Sequence, residues 1–160
     1  MIIKQSFRKG LGFGLTSGII TTLGLIIGLY SISQSKLIVI GGILTIAIAD
    51  SMSDALGIHI SEEFTGQKTT RQIWETTIAT FFFQAFFSLI FIIPILLLNI
   101  LQAIIISVVF GILLIAIFSF YFASQMNTNP WKASAEHLFI TIIVIVLSFY
   151  LGQLVALVFG

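Results

Sequence analysis

Five long apolar runs, separated by short polar segments, make up most of the 160-residue chain. A helix needs roughly 20 predominantly apolar residues to cross the hydrocarbon core of a bilayer, and each run reaches that length. The pattern predicts an all-α, polytopic membrane protein with five transmembrane helices, over residues 11–31, 37–60, 70–98, 101–124 and 130–158. Because no stretch remains for a separate soluble domain of ordinary size, we expect a single transmembrane domain over residues 1–160.

Local signals mark several helix ends. Thr69 and Gln72 have the spacing of a capping box, and Asn129 followed by Pro130 has the pattern of an N-cap with proline at the first helical position. Pro94 falls in the last turns of the third helix, where a kink is tolerated if neighbouring groups satisfy the freed carbonyl. A cleaved signal peptide is the alternative interpretation of the first run, but its length and its Thr and Ser residues favour a helix that faces protein.

The composition agrees with a membrane protein, because 58% of the residues are hydrophobic and only 8% are charged. A soluble domain carries roughly a quarter charged residues. The net charge of +1 gives no reason to expect a nucleic-acid partner, so the expected partner is the lipid bilayer. The absence of Cys excludes disulfides, thiolate metal sites and thiol catalysis.

The orientation follows from the basic residues of the short loops. A cytoplasmic N-terminus and an external C-terminus place six basic residues inside and one outside. The inner set is Lys4, Arg8, Lys9, Lys68, Arg71 and Lys132, and the outer residue is Lys36. We expect an integral protein of the cell membrane in this orientation.

Two carboxylates interrupt the second apolar run. Asp50 and Asp54 are four residues apart, so they lie one above the other on the same side of the helix. An ionised Asp near the bilayer centre costs about 2.5–3.5 kcal/mol on insertion scales. The pair therefore requires a cation, a proton or a neighbouring donor, and oxygen ligands of this kind suit hard divalent ions such as Mn²⁺.

Less specific interpretations of the same acids stay open. Hydrogen-bonded or protonated acids can simply hold helices together. Intramembrane aspartyl proteolysis is rejected, because its two acids come from facing helices and here both lie on one. Since no phosphate loop, nucleophile elbow or zinc motif appears either, we expect no enzymatic activity.

In this orientation the end of the second helix, the polar loop and the start of the fifth helix all lie on the cytoplasmic side, and other polar side chains gather there. They are candidate metal ligands at the mouth of a path: His59, Glu62, Glu63, Glu136 and His137. An interfacial His and pairs of solvated charges are the alternative interpretations. The first helix carries a small-residue ladder, Gly10, Gly14 and Gly18, which predicts close helix packing, either within the chain or in a homodimer through this helix.

Three stretches share the pattern of a known family: the run from Ser17 to Thr22, the run from Ser53 to Ser61 and the terminal run at 129–155. Together they resemble the vacuolar iron transporter family. The resemblance implies a five-helix protomer with a cytosolic N-terminus, a homodimer with a path between the two copies of helices one and two, and exchange of Fe²⁺ or Mn²⁺ for protons.

This chain departs from the family pattern at the site itself. Ser17 stands where the resemblance places an Asp, Asp54 where it places a Met, and Ile58 at an acidic position. The polar loop is too short for the family's cytoplasmic metal-binding helices. We therefore expect a harder metal site formed by Asp50 and Asp54 with Ser17 and Thr21, favouring Mn²⁺ over Fe²⁺.

The predicted function is transport of divalent metal cations of the Mn²⁺ or Fe²⁺ class, out of the cytoplasm and in exchange for protons. The metal is then a transported substrate, and no permanently bound cofactor is expected. A non-transporting membrane scaffold, and a carrier of another cation or a small solute, are the alternatives.

Overall fold

The chain folds into helices connected by short loops. The computed structural model describes residues 5–126 and 128–160, and no strand occurs in that part of the chain. Its helices are α1 (Gln5–Ser33), α2 (Lys36–Thr65), α3 (Thr70–Leu89), α4 (Ile92–Leu97), α5 (Ile100–Gln125) and α6 (Pro130–Phe159). With α3 and α4 forming one span, five segments are long and apolar enough to cross a membrane. The predicted all-α, five-helix membrane protein is therefore confirmed.

The predicted helix starts are confirmed in atomic detail. The Thr69 side chain accepts a hydrogen bond from the Gln72 backbone N–H, and the Gln72 side chain accepts one from the Thr69 N–H, as in a capping box. The Asn129 side chain accepts from the N–H groups of Trp131 and Lys132, and Pro130 occupies the first turn. Each cap satisfies backbone donors that an uncapped helix would leave without a partner.

The third predicted helix is interrupted, which differs from the continuous helix expected over residues 70–98. Regular structure ends at Leu89 and resumes at Ile92. Pro94 explains the break, because it lacks an N–H to bond the Ile90 carbonyl four residues earlier and its ring crowds that carbonyl. Ile90 and Phe91 keep φ and ψ angles in the α region.

The chain divides into two compact units. The first consists of the described residues up to Ile19 together with Leu44–Ile90. In it, the start of α1 packs on α3 through the glycine ladder. A Cβ atom at Gly10 would collide with the Thr76 carbonyl oxygen, and one at Gly14 would lie 2.6 Å from that of Thr80. These positions accept no side chain, so the ladder packs within the chain.

The second unit consists of Ile20–Ile43 and Phe91–Gly160. Here the later glycines of α1 face α6, since a Cβ at Gly24 would lie 2.8 Å from Val144, and a Cβ at Gly152 would lie 2.6 Å from the Gly28 carbonyl oxygen. Helices α5 and α6 are joined by a hydrogen bond from Ser134 Oγ to the Ala116 carbonyl at 3.3 Å. Close backbone contact through small residues is the usual way that membrane helices associate.

Candidate cation site

Side chains from three helices meet around the two acids of the first unit. Ser17 Oγ on α1 donates to Asp54 Oδ2 at 2.6 Å. On α3, Gln84 Nε2 donates to Asp50 Oδ2 and to Asp54 Oδ2, both at 2.9 Å. We refer to Ser17, Asp50, Asp54 and Gln84 as the acid cluster.

Close packing of α1 on α3 positions two members of this cluster. A Cβ at Gly18 would lie 2.7 Å from the Gln84 carbonyl oxygen, so the two helices are nearly in backbone contact at this level. The Ser88 hydroxyl also donates to the Gly18 carbonyl, at 3.4 Å. Because Ser17 is adjacent to Gly18, the glycine brings the serine hydroxyl and the glutamine amide to the acids on α2.

The acid cluster is only partly open to its surroundings. Asp50 and Asp54 are half-buried, whereas Gln84 is fully buried. The Gln84 Oε1 atom is also buried and has no hydrogen-bond partner among the described residues. All of the hydrogen bonds that the structure gives to this carboxamide therefore go to the carboxylates. A hydrogen bond to a charged group contributes about 1.5–3 kcal/mol to stability, so these bonds offset part of the free-energy cost of placing acids at this depth.

Three of the four predicted metal ligands are together in this cluster. Asp50 and Asp54 share the Gln84 donor, and Ser17 contacts Asp54 directly. The fourth, Thr21, has an exposed side chain and belongs to the second unit. Its participation in the site remains a prediction.

Glu62, predicted as a ligand at the cytoplasmic mouth, forms ion pairs within the first unit. Its side chain is only 2% exposed, and it contacts the ammonium groups of Lys9 and Lys68, the latter at 2.9 Å. A carboxylate paired with two lysines is already neutralised. This geometry favours a role in joining the helix ends rather than in collecting cations.

His59 and Glu63 also have protein partners. The His59 Nδ1 atom is 2.9 Å from Thr77 Oγ1, and its Nε2 atom is 3.4 Å from Glu63 Oε1. The imidazole packs edge-on against the Trp74 ring, with centroids 4.7 Å apart. These contacts fit the alternative interpretation of His59 as an interfacial histidine.

The remaining mouth candidates lie in the second unit and diverge from each other. His137 Nδ1 is 2.8 Å from Ser119 Oγ, which joins α6 to α5. Glu136 is exposed and lies 3.9 Å from Lys132 on the same helix. Adjacent residues on a helix point about 100° apart, so these two side chains do not converge on one ion.

Within residues 5–126 and 128–160, no group of three or more His, Asp or Glu side chains is placed to hold a metal ion. A cation in the acid cluster would have two carboxylate ligands, and its remaining ligands would be neutral oxygens or water. Mn²⁺ and Mg²⁺ accept such mixed oxygen sets, whereas a softer site would need sulfur or imidazole ligands.

Gln84 is not among the site residues predicted from the sequence. It is the only carboxamide between Gln72 and Asn99, in a segment that is otherwise largely apolar. Polar groups within membrane spans are rare and usually face the protein interior or a polar path. That isolation was the available signal, but the partner helix could not be identified without the tertiary structure.

No protein-family model matches the chain, and no curated protein matches its sequence significantly.

Proposed function

We propose that the protein is a membrane carrier that binds a divalent metal cation between Asp50 and Asp54. The observation that supports this proposal is their shared donor: two half-buried acids, near the middle of a 30-residue span, accept from one amide nitrogen. Carboxylates in this position are costly to insert, and those that persist in membrane proteins commonly belong to ion or proton paths.

The ligand chemistry favours Mn²⁺ over Fe²⁺. The atoms in the acid cluster are carboxylate, hydroxyl and amide oxygens, together with an amide nitrogen that donates hydrogen bonds. Hard oxygen ligands of this kind suit Mn²⁺, whereas imidazole and thioether ligands would favour later transition metals. In a competition assay, strong displacement of Mn²⁺ by Fe²⁺ would contradict this preference.

The direction of transport and the assembly form part of the same proposal. The distribution of basic residues and the resemblance to vacuolar iron transporters support a carrier in the cell membrane that exports the metal in exchange for protons. The resemblance also supports a homodimer. Because α3 covers Gly10, Gly14 and Gly18, a dimer through α1 would have to use a different face of that helix.

Uptake of Mn²⁺ and Fe²⁺ into proteoliposomes, with and without an imposed pH gradient, tests the proposal. Asp50→Asn and Asp54→Asn keep the size of each side chain and remove its charge. We expect the uptake rate of each variant to be at least tenfold lower than that of the wild type. Ser53→Ala is the control, because Ser53 is exposed on the same helix beside Asp54. Uptake at the wild-type rate by both folded Asn variants would refute the proposal.

A non-transporting membrane scaffold is the second candidate. It is supported by the same hydrogen bonds, since Gln84 and Ser17 already provide donors to both acids and so join three helices. Cation binding alone does not distinguish a carrier from a scaffold, so uptake must be measured as well. Binding without uptake under any gradient would favour the scaffold, whereas uptake that depends on both acids would exclude it.

A further inference from the structure

The Gln84 amide nitrogen bridges the two acids. This nitrogen lies 2.9 Å from an oxygen of Asp50 and 2.9 Å from an oxygen of Asp54. A carboxamide NH₂ group has two N–H donors, so it can satisfy one carboxylate with each. The amide thereby bonds both carboxyl groups through the positive end of its dipole.

The carbonyl oxygen of the same amide indicates that the acids determine the orientation of the side chain. Gln84 is fully buried, and its Oε1 atom has no partner among the described residues. A buried acceptor without a partner is unfavourable. The side chain therefore makes its hydrogen bonds to the acids at the expense of its own carbonyl, in a helix held close to α1 by Gly14 and Gly18.

We infer that the Gln84 NH₂ group is a built-in competitor of the transported cation. In the cation-free protein it bonds both carboxylates, and an arriving cation must displace it. Conversely, the amide can return to the acids as the ion departs. Gln84 would thus lower the affinity of the site and favour release of the ion. This inference rests on the proposed cation-binding function of Asp50 and Asp54.

Removal of the amide donors should consequently tighten cation binding. Without these donors, the cation-free protein is destabilised, because its two acids lose their shared hydrogen-bond donor. The cation-bound protein is unaffected, because in that state the cation has already displaced the amide from the acids. A perturbation that disfavours only the empty state shifts the equilibrium toward the occupied one. We expect at least a tenfold gain in affinity, which corresponds to about 1.4 kcal/mol. A substitution that merely damaged the fold would weaken binding.

Gln84→Met and Gln84→Glu test this expectation. Methionine has a similar length but no N–H donor, and glutamate keeps the carbonyl oxygen while exchanging the NH₂ group for a second oxygen. Gln153→Met is the matched control, because Gln153 is exposed on α6. For each purified variant, the midpoint of thermal unfolding is measured against Mn²⁺ concentration, which gives both the cation-free stability and the apparent Kd. Glutamate retains a polar group of the same shape, so it serves if the methionine variant does not fold.

We expect both Gln84 variants to unfold at a lower temperature without Mn²⁺ and to bind Mn²⁺ at least tenfold more tightly, while Gln153→Met matches the wild type. If Mn²⁺ binds the wild type through Asp50 and Asp54 but with equal or weaker affinity in the Gln84 variants, this inference is refuted and the proposed function stands. If no protein in the series shows Mn²⁺ binding that Asp50→Asn or Asp54→Asn abolishes, the proposed function is refuted as well.

Discussion

Adding one methyl group at Gly18 should separate α1 from α3 and disturb the acid cluster. The Cβ of Gly18→Ala would lie 2.7 Å from the Gln84 carbonyl oxygen and 3.1 Å from its Cα. Ordinary contact begins at 3.4 Å, so the closest approach is short by about 0.7 Å. The obstructing atoms belong to the α3 backbone and cannot rotate away. Overpacking of this kind typically costs about 1–3 kcal/mol.

Gly12→Ala provides a matched control on the same helix. A Cβ at Gly12 meets nothing within 4 Å, whereas both substitutions exchange Gly for Ala inside α1. Alanine stabilises a helix interior by about 1 kcal/mol relative to glycine, and this gain is common to the two variants. Their difference in stability therefore isolates the contact between α1 and α3.

The assay is equilibrium unfolding of the purified protein in detergent micelles or bicelles. We expect Gly18→Ala to be about 1–3 kcal/mol less stable than Gly12→Ala. If the acid cluster binds Mn²⁺ as proposed, its Mn²⁺ affinity should change as well, because the shift moves the Gln84 backbone relative to Ser17. If Gly18→Ala and Gly12→Ala were equally stable, the close packing of α1 on α3 at this level would be wrong.

Two further substitutions test contacts in the first unit. Ser17→Ala removes the 2.6 Å hydrogen bond to Asp54 and should lower the free energy of unfolding by about 0.5–1.5 kcal/mol. Ser53→Ala, at an exposed position, should stay within about 0.5 kcal/mol of wild type, and equal losses of stability in the two variants would argue against the hydrogen bond. Glu62→Gln leaves two lysines without their buried partner and should cost about 1–3 kcal/mol, while Glu136→Gln, at an exposed pair, should cost less than about 1 kcal/mol. A Glu62→Gln variant as stable as Glu136→Gln would contradict the ion-pair assignment.

The helices and their ends were largely predictable, because the signals that define them are local. Runs of apolar residues identify the spans, and caps such as Thr69 and Asn129 act on backbone groups two or three positions away. The break before Pro94 was anticipated only as a kink. Its extent depends on how the chain around Ile90 compensates for one missing N–H.

A helical membrane protein with Asp50 and Asp54 on one side of α2 could be predicted from the sequence alone, because helix length, hydrophobicity and the four-residue spacing are properties of a single segment. The groups that face these acids could be identified only once the helices were placed in three dimensions. Gly18 packs on α3 within the chain, and Gln84 reaches both carboxylates. Such pairings depend on which helices approach closely, and a small-residue ladder permits close approach without specifying the partner.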